Sequence, residues 1–93
     1  MRRATDRGGE SLTRRRYEYL VCSVQQARVT FVNGAWQGRV DPGGGDHDAA
    51  LQSCPTTWDY LEAAGYDGWE LTGAVAHQTD QASYEVLYLK RER

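Results

Sequence analysis

The segment from Gly65 to Leu71, which reads Gly-Tyr-Asp-Gly-Trp-Glu-Leu, constrains the fold more than any other part of this chain. Gly65 and Gly68 bracket a two-residue turn, and glycine accepts the positive φ angles at which helices commonly end. The residues after the turn open an alternating β pattern that continues to His77. We therefore predict that a short helix ends at this turn and that a buried strand begins at Trp69.

The helix before the turn is predicted to span Thr56 to Ala64. Thr56 can cap its first turn, and Asp59 suits the positive end of the helix dipole. Trp58, Leu61 and Ala64 fall on one stripe, which we expect to face a sheet. A helix of about nine residues is marginal in water on its own, so it must dock on the rest of the fold.

A β-hairpin is predicted between Arg28 and Val40, around the dipeptide Asn33-Gly34. Asn-Gly is the strongest signal for a two-residue hairpin loop, because a type I′ turn needs positive φ at both positions. A loop of two residues places Phe31 opposite Trp36, and such an aromatic cross-strand pair contributes up to about 1 kcal/mol.

Three further strands and one helical turn complete the predicted elements. The strands are Tyr17 to Gln26, Trp69 to His77 and Ser83 to Arg91, and the turn is Asp48 to Gln52, before Pro55. The element order is then β-β-β-α-β-β within a single α+β domain over residues 17–93. Consecutive hairpins favour an antiparallel sheet of about five strands with one short helix packed on one face.

Both faces of the predicted sheet are apolar, whereas a sheet with one solvated face shows polar residues on that face. One short helix covers only one face, and a partner chain is the simplest cover for the other. We expect a homodimer, or a subunit of a larger protein assembly. The residues assigned to this contact surface are Leu20, Cys22, Val24, Leu87 and Leu89.

The charge of the chain is divided between a basic start and an acidic remainder. Residues 1–16 have a net charge of +4 and residues 17–93 a net charge of −6. We predict a disordered basic arm over residues 1–16, and we do not favour nucleic acid as a partner, because the body is acidic. No apolar run reaches the roughly 20 residues of a membrane span. Cys22 and Cys54 are interpreted as free thiols of a cytoplasmic protein.

Few residues suggest chemistry. A carboxylate at Glu70, beside an aromatic core, invites a raised pKa and an acid–base role. The alternative function is therefore an enzyme or small-molecule binder with a pocket between helix and sheet, using Glu70, Tyr66 and His77. The two histidines and two cysteines do not have the spacing of a zinc site, so neither a metal nor another cofactor is predicted. We favour a non-catalytic role, because no partner group for Glu70 is evident.

Several of these motifs resemble a family of small bacterial proteins known as a domain of unknown function. The resemblance covers the Tyr-x-Tyr-x-Val start of the first strand, at Tyr17, and the later part of the chain after about Thr57. Its most specific part is Gly65-x-x-Gly68-Trp69-Glu70-Leu71, followed by a last strand that ends in Lys90-Arg91. The resemblance implies a compact α/β fold, and it implies no particular reaction, substrate or cofactor. The segment from Arg28 to Pro55 departs from the family pattern.

Overall fold

The computed structural model describes residues 14–93, which form an α+β fold with a five-stranded antiparallel sheet. The predicted arm lies outside the described residues apart from Arg14 to Arg16. The class and the number of strands are as predicted, and a short additional helix precedes the main one. The elements are β1 (Tyr17–Gln25), β2 (Arg28–Val32), β3 (Ala35–Trp36), α1 (His47–Gln52), α2 (Thr57–Tyr66), β4 (Glu70–Gln78) and β5 (Ser83–Glu92).

The strands lie in the order β3-β2-β1-β5-β4, so the first and last long strands meet at the centre of the sheet. In the β1–β5 pairing, Leu20 lies opposite Leu89 and Val21 lies opposite Tyr88. The Asn33–Gly34 turn has φ angles of 49° and 85° and joins β2 to β3. Phe31 pairs with Trp36 in this hairpin, with ring centroids 5.3 Å apart, as the two-residue loop predicts.

Helix α2 is capped as the sequence indicates, because the Thr56 side chain accepts a hydrogen bond from the Asp59 backbone N–H at 3.1 Å. The helix packs on one face of the sheet, with Ala64 buried and with Tyr60 and Leu61 against the core. The predicted stripe is wrong at Trp58, whose side chain is 71% exposed. Tyr60 takes the place that the prediction gave to this tryptophan.

Strand β4 contains an irregularity that the alternation did not predict. The pairing with β5 shifts between Leu71 and Gly73, which makes Thr72 an extra residue. Trp69 packs against the core beneath α2, as expected. Because the shift reverses the alternation, Val75 pairs with Val86 and points to the face opposite α2. Strict alternation of side chains would place Trp69 and Val75 on one face, and the extra residue places them on opposite faces.

The turn between β1 and β2 lacks the residues that usually mark a turn. Gln26 and Ala27 both have positive φ angles, 49° and 62°, without glycine, asparagine or aspartate. The turn is fastened to the start of α2, because the Ala27 carbonyl accepts a hydrogen bond from the Thr57 N–H at 2.9 Å. The Arg28 guanidinium also donates to the Cys54 carbonyl at 2.7 Å. These contacts hold a conformation that the local sequence does not favour.

The region between β3 and α2 closes one end of the sheet. Strand β3 has only two residues, so the predicted extension toward Val40 is not regular strand. The indole N–H of Trp36 donates to the Val40 carbonyl at 3.0 Å and folds this segment back. The Asp46 side chain caps α1, and α1 contacts β2. A helical turn therefore forms where the sequence allowed one.

Candidate functional site

The five residues predicted to contact a partner lie instead on the face that α2 covers. Four of them are at most 5% exposed, and Leu20 packs against them. They form the hydrophobic core together with Val29 and Ala64. The assignment of a contact surface to these residues is therefore corrected, because no partner can reach them in the folded chain. The buried four are Cys22, Val24, Leu87 and Leu89.

The opposite side of the sheet carries large apolar side chains that remain exposed, and we name this surface the open face. Val21 and Tyr88 are direct cross-strand neighbours in β1 and β5, so their side chains lie side by side. Tyr88 also pairs with Gly73 of β4, which leaves its ring without a side chain beside it on that strand. The exposed members of the open face are Tyr19 (60%), Val21 (41%), Phe31 (38%), Val75 (45%) and Tyr88 (40%).

The segment from Gly65 to Leu71 fastens α2 to the sheet. Gly68 has a φ angle of 89°, and a Cβ atom there would lie 3.3 Å from the Arg91 side chain. The Arg91 guanidinium lies 4.3 Å from the centre of the Trp69 ring, and it donates to the Asp67 carbonyl and to the Glu18 carboxylate. The motif therefore has a structural role, in which one arginine joins the helix end, β1 and β5.

The three residues of the predicted pocket are not brought together. Tyr66 is 89% exposed on α2, and Glu70 lies on the other side of the sheet, 4.0 Å from Lys90. His77 lies seven positions further along β4, about 23 Å away, and stacks on Tyr84 with centroids 4.8 Å apart. The cavity between α2 and the sheet has a volume of about 120 Å³ and is lined by Leu20, Tyr60, Ala63, Ala64, Asp67 and Trp69. Ligand pockets are usually about 300–1,000 Å³.

The buried titratable groups are in their unreactive forms. Burial raises the pKa of Cys22, and the adjacent Tyr60 hydroxyl opposes this in part. Burial also raises the pKa of the Cys54 thiol, against the charge of Arg28. The pKa of Tyr60 rises to about 12, first through burial and then through Cys22. Neither thiol is therefore activated as a nucleophile, since that requires a lowered pKa.

Residues 14–93 contain neither a cluster of metal-ligating side chains nor a membrane-spanning helix. No group of three or more histidine, cysteine, aspartate or glutamate side chains is placed to hold a metal ion within this range. None of the helices in this part of the chain has the length and apolar character that a membrane crossing requires. The open face is thus the main feature of the described surface that needs a functional explanation.

Comparison of the chain with protein-family models, with curated proteins and with solved structures gave no match. The resemblance to the bacterial family therefore stays a prediction.

The sequence correctly indicated that both faces of the sheet are apolar. It assigned the contact surface, however, to the face that α2 covers. Two signals favour the observed assignment. Cysteine is among the residues most often fully buried, which points Cys22 toward the core. Tyrosine has a polar hydroxyl and an apolar ring, which suits Tyr19 and Tyr88 to a surface that is exposed to water in the free chain and covered in a complex.

Proposed function

We propose that this protein is a non-catalytic interaction module that binds a second copy of itself through the open face. The observation that carries this proposal is the group of five exposed large hydrophobic side chains on one side of the sheet. Single exposed hydrophobic residues are normal on a protein surface, whereas a contiguous apolar patch marks an interaction site. The cross-strand pairing of Val21 with Tyr88 makes the centre of this patch contiguous.

The energetic argument favours a stable dimer. A standard interface buries about 800 Å² per partner, of which about 60% is apolar. Burial of about 500 Å² of apolar surface contributes roughly 12 kcal/mol per chain at about 25 cal/mol per Å². Loss of translational and rotational freedom on association opposes this by about 4–15 kcal/mol. Counted over both chains, the apolar gain is roughly 24 kcal/mol and exceeds this cost, and ordering of side chains and desolvation of polar groups reduce the surplus.

The state of the titratable groups within residues 14–93 is consistent with the non-catalytic part of the proposal. The pKa values of both thiols and of Tyr60 are raised, which lowers their reactivity. Glu70 has Lys90 as its ion-pair partner and lies apart from His77. Acid–base catalysis usually combines a proton-transfer group with a second group that stabilises the transition state, and Glu70 and His77 are too far apart to act on one substrate.

The test replaces one tyrosine on the open face and one elsewhere. Tyr88→Glu places a charge in the proposed interface, and Tyr66→Glu makes the same change on the exposed side of α2. We expect native mass spectrometry to find wild type and Tyr66→Glu as dimers or larger assemblies. Tyr88→Glu is expected to lose the contact through the open face, with an affinity at least 100-fold weaker.

Circular dichroism of each variant provides the control that the fold is retained. A wild-type chain that stays monomeric at its highest soluble concentration would contradict the proposal. A wild-type monomer that associates only after removal of residues 1–13 would assign the open face to the chain's own leading segment. Equal dissociation of Tyr88→Glu and Tyr66→Glu would also contradict it, because the effect would not depend on the face.

A further inference from the structure

The two edges of the sheet differ in how they are closed. At the β3 edge the outer strand has only two residues, and the start of β2 is paired beyond it by the segment that leads into α2. The Val29 N–H donates to the Pro55 carbonyl at 2.9 Å in this pairing. At the other edge, β4 is a strand of nine residues, and within residues 14–93 no strand pairs with its outer side.

From Gly73 onward, strand β4 also lacks the features that usually protect an edge. Natural edge strands carry lysine, proline or inward-pointing charges, which prevent pairing with another chain. The stretch from Leu71 to Gln78 contains no proline and no lysine, arginine, aspartate or glutamate. The bulge at Thr72 disturbs only its start, and from Gly73 onward the pairing with β5 is regular. The regular part is therefore a free template for strand addition.

We propose that β4 pairs antiparallel with β4 of a second copy, with Val75 on the two-fold axis. A two-fold axis perpendicular to the sheet keeps each face on its own side, so only residues on the same face can lie opposite one another. The register centred on Val75 uses the whole regular stretch between the bulge and the end of the strand. A centre at Ala74 would place the bulge within the pairing, and a centre at Ala76 would extend it into the turn after Gln78.

The sequence of β4 suits this symmetry. Ala74-Val75-Ala76 reads the same in both directions, so a two-fold axis at Val75 places small side chains opposite one another on both sides of it. Ala74 lies opposite Ala76 of the partner subunit in this register, and Gly73 lies opposite His77 of the partner subunit. No heavy atom lies within 4 Å of the position of a Cβ at Gly73, which leaves room for the stacked imidazole. The small side chains and the absence of charge allow two strands to approach.

This edge contact is made by the backbone of β4 and shares only Val75 with the open face. It therefore goes beyond the proposed function and does not depend on it. Strand addition joins two five-stranded sheets into one sheet of ten strands. If the open face also pairs, the two contacts have perpendicular two-fold axes and together close a particle of four subunits. Loss of one contact then leaves a dimer through the other.

The experiment uses Ala74→Cys and Ala76→Cys, two exposed positions on the side of β4 that faces away from the open face. The two variants are mixed and oxidised, and disulfide-linked chains are measured by non-reducing electrophoresis and mass spectrometry. Directly opposed Cα atoms are about 5 Å apart, which suits a disulfide. Two copies of the same variant place their cysteines about 8 Å apart, beyond the limit of about 7 Å.

We expect at least fivefold more cross-linked chain in the mixture than in either variant alone. Native Cys22 and Cys54 are buried and provide little background. Stacking of two open faces does not bring these positions together, so failure of this contact is distinguishable from failure of the proposed function. No cross-link in the mixture, or equal yields in all three samples, would overturn the edge pairing.

A second measurement does not depend on disulfide formation. The double variant Ala74→Lys with Ala76→Lys places charges on the edge in the way that natural edges are protected. We expect native mass spectrometry to find a dimer in Tyr88→Glu and a monomer when the two lysines are added to Tyr88→Glu. An assembly in Tyr88→Glu that survives the two lysines unchanged would overturn the proposal.

Discussion

The covered face and the open face of the sheet carry similar numbers of apolar side chains, but they differ in how far these side chains are exposed to solvent. Beneath α2, Cys22, Val24 and Leu89 are almost fully buried, whereas Val21 and Tyr88 on the other side are 41% and 40% exposed. The strands alternate apolar residues onto both sides, and a helix of ten residues covers one of them. The covered face therefore supplies the stability of the single chain, and the open face is left for association.

The largest expected effect comes from moving one charge by one residue along β5. Leu87→Asp places a carboxylate in the core and removes a buried leucine, and the combined cost is comparable to the whole stability of a small domain. Tyr88→Asp places the same charge on the open face. We expect circular dichroism to find Leu87→Asp unfolded and Tyr88→Asp folded, and native mass spectrometry to find that Tyr88→Asp has lost its contact through the open face.

This pair of variants separates stability from association. A folded Leu87→Asp chain that is merely monomeric would restore the original assignment of Leu87 to a contact surface. If Tyr88→Asp unfolds as completely as Leu87→Asp, the open face contributes to the core of the single chain, and the distinction between the faces fails.

Much of the fold was predictable because its signals are local. Asn33-Gly34 specifies a turn with positive φ at both positions, and the hairpin forms there. Thr56 caps α2, and Gly68, with a φ angle of 89°, marks the turn into β4, whereas Gly65 lies within the helix, which continues to Tyr66. The β1–β2 turn was not predictable in the same way. Ala27 adopts a positive φ angle because its carbonyl is held by Thr57, and this contact is remote in the sequence.

The sequence predicted that an apolar contact surface exists, but it did not predict which face of the sheet carries it. The alternation indicates two apolar faces, but it does not specify which one the helix covers. That choice depends on where the chain enters α2 from the β2 edge, and it depends on the bulge at Thr72, which reverses the alternation in β4. Trp58 illustrates the same limit, because its helical position alone does not reveal that the core uses Tyr60 instead.

A smaller effect compares two threonines that accept backbone hydrogen bonds. Thr56 caps α2, which covers the core, and Thr79 accepts from the backbone N–H groups of Gln81 and Ala82 at the exposed tip of the β4–β5 hairpin. We expect Thr56→Ala to lower the free energy of unfolding by about 1 kcal/mol. Thr79→Ala is expected to lower it by less than about 0.5 kcal/mol, because water can satisfy its exposed partners.

Urea denaturation of the two alanine variants and of wild type measures this difference. Because the substitution is the same, loss of the hydroxyl and methyl groups alone predicts equal effects. Equal losses, or a larger loss for Thr79→Ala, would contradict the expectation that contacts at the start of α2 contribute more to the free energy of unfolding than contacts at the hairpin tip.

The last expected effect is a pH dependence specific to the covered face, which is absent at neutral pH. Burial raises the pKa of Tyr60 to about 12, from its ordinary value of 10. Above pH 10 the unfolded chain loses this proton while the folded chain retains it, so unfolding becomes more favourable. The contribution of Tyr60 is therefore fully present below pH 10 and is lost as the pH rises toward 12.

Between pH 10 and pH 12, we expect the melting temperature to fall less steeply with pH in Tyr60→Phe than in wild type. Tyr88→Phe, which removes a hydroxyl from the open face, is expected to keep the wild-type slope. If Tyr60→Phe also keeps the wild-type dependence on pH, the Tyr60 hydroxyl is not buried against Cys22, and the covered face is packed differently.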